Sequence, residues 1–328
     1  MPAPIITTHP STGPEALGQR AIACLRANRI DPKFLYVTGR QAELWRQVFL
    51  RHSPIHGNPE FARIYRDAFT RIVEATAPPR AHVVGLGCGT GTKEVQLCVQ
   101  LRAQQRSVLF SAIDISRDLV AESSQKLAEA GAEVGAGLAC DLGEIAFLAE
   151  WIGPIGRGVP RLLTLFGLVP NLAPSLILRL LRAVLRARDI CLVSAHLAPV
   201  AQGEIAPVAM ARVLPQYDNP ETLAWLTAGL EELGLENLVG PPEMTIGEIE
   251  GVPAFIGQAR WKSSRPFEKW GQVFSPDSAR PLQVFHSLRY TPELFEDSLK
   301  GQGFSVERLA MTACREEAIW AVRLAVPG

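Results

Sequence analysis

Between residues 59 and 75 the apolar positions Phe61, Ile64, Tyr65, Ala68, Phe69, Ile72 and Val73 recur at steps of three and four. That spacing predicts an amphipathic helix, ended by Pro78 and Pro79. From Arg80 the rhythm changes to short apolar runs separated by helical stretches. Strands are expected at Ala81–Leu86, Val108–Ile113, Arg161–Phe166 and Ile190–Ala195, with a weaker one before Asp141. Helices are expected at Lys93–Arg106, Arg117–Ala130, Gly143–Trp151 and Pro174–Arg188. In the last, Leu176, Ile177, Leu180, Leu181, Val184 and Leu185 share one face and arginines occupy the other. Alternation of this kind predicts an α/β fold whose parallel sheet is covered on both faces.

The flanks read differently. Residues 1–15 are rich in proline and threonine and read as disordered or as an extended arm. A helix over Glu15–Ala27 follows, and then a turn at Gly39 leading into a second helix within Lys33–Pro54. After Ala198 the βα repeat breaks. Residues 199–281 are rich in Gly and Pro and offer one helix, Glu221–Leu233, and one strand, Val252–Arg260. They read as an insertion building a second lobe. The repeat is expected to resume with a strand at Leu282–Arg289, a helix at Pro292–Gln302 and two closing strands, Ser305–Met311 and Ala318–Leu324.

Composition removes several function classes. The 328 residues include 33 basic and 33 acidic side chains, so nothing favours nucleic acid or an anionic membrane as partner. The six cysteines contain no C-x-x-C pair, which fits reduced thiols and implies neither a disulfide framework nor a metal site. With no signal-peptide pattern and no apolar run of spanning length, a cytoplasmic protein is expected.

The chemistry begins at HVVGLGCGTGTKE, His82 to Glu94. A strand, a glycine turn and a helix N-terminus make a nucleotide-binding corner. The dinucleotide pattern G-x-G-x-x-G would need glycine at 90 or 92, where Thr90 and Thr92 stand. The glycines at 85, 87, 89 and 91 instead resemble motif I of the class I S-adenosylmethionine methyltransferases. That resemblance implies a Rossmann-like sheet and S-adenosylmethionine as cofactor. Asp114, ending the second strand, is placed to accept from both ribose hydroxyls. Asp141 and Leu142 would meet the adenine, and Lys93 the cofactor's carboxylate. Position 85, where the class usually has an acid, is Gly85.

Asn171 lies in LLTLFGLVPNLAPS, just past the fourth strand, where an open sheet binds ligands. An amide can accept from an ammonium and donate to a carboxylate at once. The order of G-x-G-x-G-x-K, N-L-x-P after the fourth strand, YDN at 217–219 and HSLRYT resembles the histidine-specific N-alpha-methyltransferases of ergothioneine biosynthesis. FLYVTGRQAELW, which contains Tyr36, is similar to an N-terminal block of that family.

By that resemblance the substrate-binding lobe is 1–60 plus 197–286, and the methyltransferase core is 61–196 plus 287–328. Asn171 and Tyr217 would hold the substrate's amino and carboxylate end, and Tyr36, Phe285 and Ser287 would line its side-chain site. The family's imidazole-gripping glutamate and serine fall on Phe285 and Ser287, so the carboxylate is replaced by a phenyl ring. Loss of such a charged hydrogen bond costs about 1.5–3 kcal/mol, which argues against histidine as substrate. The family's tyrosine pair is absent as well, leaving Ile55 and His56.

The expectation is therefore transfer of a methyl group to the α-amine of a free amino acid or related small amine. Asn171 and Tyr217 would orient the amine, and a group such as His56 would take its proton. His196, at the end of the fifth strand, is a second histidine near the acceptor side. Two other readings stay open: methylation of oxygen, sulfur or a ring nitrogen of a secondary metabolite, and a non-catalytic relative of the fold serving as scaffold. The sequence leaves the oligomeric state open.

Overall fold

The computed structural model describes residues 5–53, 58–75, 79–155, 158–201 and 204–325. The chain divides into two units: Met1–Thr12, Pro59–Leu197 and Tyr290–Gly328 form the first, and Gly13–Asn58 with Ala198–Arg289 the second.

The first unit is built on one sheet, with strands β1 (Ile6–Thr8), β2 (Arg80–Leu86), β3 (Ser107–Asp114), β4 (Glu133–Val134), β5 (Gly137–Ala139), β6 (Arg161–Phe166) and β7 (Ile190–His196). After the second unit's strands β8 to β12, β13 (Phe304–Met311) and β14 (Glu317–Leu324) complete it. The order is β1-β5-β3-β2-β6-β7-β14-β13, with β4 also on β3. Every pairing from β1 to β7 is parallel, while β14 runs antiparallel to both β7 and β13. This is the expected Rossmann-like α/β arrangement. The winding direction reverses between β2 and β6, and the crevice at such a switch point is where open sheets take ligands.

The parallel strands are apolar throughout because helices cover both faces. Pro59–Ala75 buries all seven residues of its stripe. Phe69 and Ile72 pack there with Val83, Phe110 and Ile319 in one core cluster.

Two expectations about this sheet need correcting. Ile6–Thr8, read within a disordered or extended arm, pairs in parallel with Gly137–Ala139 as an edge strand. The strand at Leu282–Leu288, read as resuming the βα repeat, does not enter this sheet at all. It belongs to the second unit's three-stranded antiparallel sheet.

That sheet has β12 (Leu282–Leu288) and β8 (Val239–Ile249) on either side of β9 (Val252–Trp261), beside a small β10–β11 hairpin of Phe267–Lys269 and Gln272–Phe274. The insertion is thus richer than its composition suggested, with a helix at Ala206–Val213 besides the one at Pro220–Glu232. Helix Gly39–His52 opens on a capping box between Thr38 and Gln41, which anchors its first turn. Its far end meets the acidic first turn of Pro220–Glu232, where His52 Nε2 lies 2.9 Å from Glu221 Oε2.

One core residue, His82, disfavours the folded first unit in acid. His82 in β2 is 0% exposed; Nε2 lies 3.1 Å from Ser111 Oγ, and Nδ1 has no hydrogen-bond partner among the described residues. Burial, with the charges of Arg161 and Arg80, lowers its pKa to about 4. An unfolded histidine protonates near ~6.5. The folded state therefore keeps His82 neutral, and this contribution is fully present above that value. It is lost progressively as pH falls towards the folded pKa, by roughly 3 kcal/mol in all. Burial raises the pKa of Glu94 and Asp114, and protonating them on acidification relieves strain in the opposite sense. The diagnostic is therefore a difference: between pH 7 and 4.5, urea denaturation should show wild type losing more stability than His82→Gln. Parallel pH dependences would contradict this assignment.

Candidate functional site

β2 delivers the chain to the carboxyl edge of the sheet, and the glycine turn follows. Gly87 has φ +64° and Gly89 φ +51°, a region that side chains rarely enter. A Cβ on Gly87 would lie 1.9 Å from Leu168 Cδ1, whereas one on Gly89 would meet nothing within 4 Å. The turn is therefore packed beneath Gly87 and open at Gly89. The other two glycines are closely packed. Gly85 is a buried strand residue paired between Ala112 and Thr164, and a Cβ there would come 2.8 Å from Cys88 Cβ. Gly91 caps helix Thr92–Ala103 and lets it approach Ser123.

Asp114 ends β3 beside this turn and is 7% exposed. Its Oδ2 accepts from Gly89 N–H at 2.9 Å and its Oδ1 from Ser116 N–H at 3.0 Å. Burial raises its pKa, and the backbone donors of Ser116, Gly89 and Ile115 oppose the rise. Asp114 is thus a fixed carboxylate, with acceptor capacity left for a ligand. Asp141 follows β5, where its Oδ1 accepts from Gly143 N–H at 2.9 Å in a tight turn. Leu142 is buried at Gly87, its Cδ1 3.6 Å from a Cβ built there.

Lys93 is no solvated helix lysine. Its Nζ stands 4.5 Å from the centroid of the Tyr65 ring and 3.9 Å from Glu317 Oε1. Burial lowers its pKa, while the charges of Glu317 and Glu94 oppose the fall. Glu317 is the hub of this cluster: Tyr65 Oη donates to it, and His196 Nδ1 lies 3.5 Å from its Oε2. Glu94, 3% exposed, accepts from Thr164 Oγ1 at 2.7 Å, directly beside Gly85 in the sheet. Neither glutamate stood out in the sequence, because their partners lie far along the chain. Asn171 closes a short 3-10 turn after β6, with its N–H bonded to Leu168 O at 2.8 Å.

The second unit gathers the remaining candidates. Tyr36 lies 5.4 Å from Trp225, Trp225 5.6 Å from Phe285, and Phe285 6.2 Å from Tyr217, centroid to centroid. Tyr217 also stacks on Phe255 at 4.7 Å, and its hydroxyl is 3.2 Å from Ser287 Oγ. Tyr36, Tyr217, Phe285 and Ser287 thus fall in one aromatic cluster. Arg289, which the sequence reading passed over although it stands in HSLRYT, donates to Tyr217 Oη from Nη2. His56 and Ile55 lie outside the described residues.

A family model described as histidine-specific methyltransferase, SAM-dependent, matches residues 17–195. The chain belongs to this methyltransferase family. No protein of curated function matches the sequence. Among solved structures, the CurJ carbon methyltransferase is similar at 13% identity and TM-score 0.49, over 95% of this chain and 66% of its own. The methyltransferase domain of the citrinin polyketide synthase matches at 13% identity and TM-score 0.46, over 89% and 59%. RosA from Streptomyces davawensis, an N,N-8-amino-8-demethyl-D-riboflavin dimethyltransferase, matches at 11% identity and TM-score 0.43, over 96% and 71%. The chain spans just under two thirds of the CurJ enzyme's length and less of the citrinin domain.

The family's cofactor is S-adenosylmethionine, and the residues at the turn suit it. An opening at Gly89, a braced acceptor at Asp114 and apolar Leu142 provide the contacts that a nucleoside needs. No described helix is long and apolar enough to cross a membrane.

Proposed function

We propose that the protein transfers a methyl group from S-adenosylmethionine to the α-amine of a free amino acid or a closely related small amine, with histidine disfavoured. The observation that carries the choice of side chain is Phe285, buried against Tyr217 and Trp225 where a histidine-binding member would present a carboxylate. A phenyl ring cannot accept the imidazole N–H, and the surrounding rings favour an aromatic or aliphatic group.

In this reading Asp114 holds the ribose hydroxyls, Asp141 and Leu142 the adenine, and the open side of Gly89 lets the main chain approach the cofactor. When bound, the cofactor supplies an already activated methyl group, so the protein's task is alignment and exclusion of water. The acceptor amine must be neutral to attack. Asn171 accepts from it through its amide oxygen, and Tyr217 engages the carboxylate end through its hydroxyl. The amine's proton leaves to water or to a histidine imidazole, His56 or His196. Nδ1 of His196 lies 3.5 Å from Glu317 Oε2.

The test is a purified-protein assay with S-adenosylmethionine over the proteinogenic amino acids, read by mass spectrometry for gains of one, two or three methyl groups. Aromatic or aliphatic amino acids should gain mass ahead of histidine. If histidine is methylated fastest, the specificity argument fails. If no amine gains mass while cofactor still binds, acceptance by oxygen, sulfur or a ring nitrogen takes its place.

A further inference from the structure

Among the described residues two arginines are buried almost completely, in different surroundings. Arg161, 1% exposed, is ion-paired with Asp189 and donates further to the carbonyls of Ile152 and Val184 at 3.0 and 2.8 Å. Arg289, 2% exposed, has no carboxylate within 4 Å among the described residues. Its Nη2 donates to the Tyr217 hydroxyl, and its Nε has no hydrogen-bond partner among the described residues. Its guanidinium carbon sits 5.0 Å from the Tyr217 ring centroid and 5.2 Å from that of Phe255. Aromatic faces attract a cation, but they leave its N–H donors unsatisfied. Buried charges are ordinarily paired, because desolvation without a counter-ion is costly.

We propose that Arg289 is the anchor for a carboxylate carried by the methyl acceptor. This rests on the amino-acid reading above and narrows it: the acceptor must be an acid as well as an amine. The planar guanidinium presents a fork that fits a carboxylate, and of the Tyr217 and Ser287 hydroxyls, hydrogen-bonded to each other at 3.2 Å, one keeps a donor for it. The rings of Phe285, Phe255 and Trp225 surround the same cluster, so a carboxylate joined to an apolar or aromatic group matches its chemistry. The acceptor's negative end thereby supplies the charge that the protein itself withholds from Arg289.

The experiment uses the full chain and two probes that separate carboxylate from amine: 3-phenylpropionate, which has no amine, and phenethylamine, which has no carboxylate. Calorimetric titration in low-chloride buffer should show 3-phenylpropionate binding wild type at least about tenfold more tightly than phenethylamine. Arg289→Met should weaken 3-phenylpropionate by about tenfold to a hundredfold and leave phenethylamine unchanged. Arg289→Lys should recover part of the loss, and it carries the test if the Met variant does not fold. The proposal is overturned if substitution leaves the affinity for 3-phenylpropionate unchanged, if both probes lose affinity alike, or if wild type binds neither. Mass spectrometry with phenethylamine and phenylalanine separates this failure from that of the parent reading. Equal methylation of both removes the carboxylate anchor and keeps N-methylation. Methylation of neither, with Arg289-dependent binding of 3-phenylpropionate, keeps the anchor and removes N-methylation.

Discussion

Asp189→Ala should destabilise the protein by about 3–5 kcal/mol, the cost of leaving a buried charge without its partner. Arg161 opens β6 and Asp189 immediately precedes β7, so their contact ties neighbouring strands at the edge opposite the glycine turn. Asp189 Oδ1 accepts from Arg161 N–H at 3.2 Å, and its Oδ2 from Arg161 Nε at 2.9 Å and Arg186 N–H at 2.9 Å. Removing the carboxylate orphans all of these donors together. Replacing both charges, as Arg161→Met with Asp189→Leu, should be less harmful than Asp189→Ala alone, since no uncompensated ion remains. Chemical denaturation monitored by tryptophan fluorescence measures both. A single substitution costing under about 1 kcal/mol would show the pair to be dispensable.

Asp114→Ala should weaken binding of S-adenosylhomocysteine by roughly a hundredfold or more. Two hydrogen bonds to a charged acceptor are worth about 1.5–3 kcal/mol each, and every 1.4 kcal/mol is tenfold. Asp114→Asn keeps shape and one acceptor, so it should fall between. The carboxylate also braces Gly89, and a modest drop in melting temperature is expected from that lost bond. The discriminating comparison is with Asp141→Ala, whose carboxylate closes a more exposed turn and should cost less affinity. Equal affinities for wild type and Asp114→Ala would remove the ribose assignment.

The core was legible because its physics is local. Parallel strands buried on both faces read as apolar runs, and the stripe from Phe61 to Val73 shows which side of its helix is covered. The position of Asp114 at the end of β3 could be read as well, since the end of the strand after a glycine turn is a defined place. The second unit was less transparent. Val239–Ile249 carries Pro241 and Pro242, which argue against a strand, yet it lies at a sheet edge with a bulge between Val239 and Pro242. Leu282–Leu288 was visible as a strand, but no local pattern says which sheet a strand will join. Ile6–Thr8 is too short to carry periodicity. Glu317 and Arg289 did not stand out because their partners lie far along the chain: Tyr65, Lys93 and His196 for the first, Tyr217 and Phe255 for the second. The neighbours of Lys93, Tyr65 and Glu317, were not legible, because both lie far from it in the sequence. Gly85 falls within the strand expected at Ala81–Leu86, but its neighbours Ala112 and Thr164 are set by strand pairing, which no local pattern gives.

Titration calorimetry of the purified chain with S-adenosylhomocysteine and, separately, with NAD tests the glycine turn most directly. Saturable binding of S-adenosylhomocysteine at one site per chain, with no heat from NAD, is the predicted result. Binding of NAD in its place, or of neither nucleotide, would contradict the account.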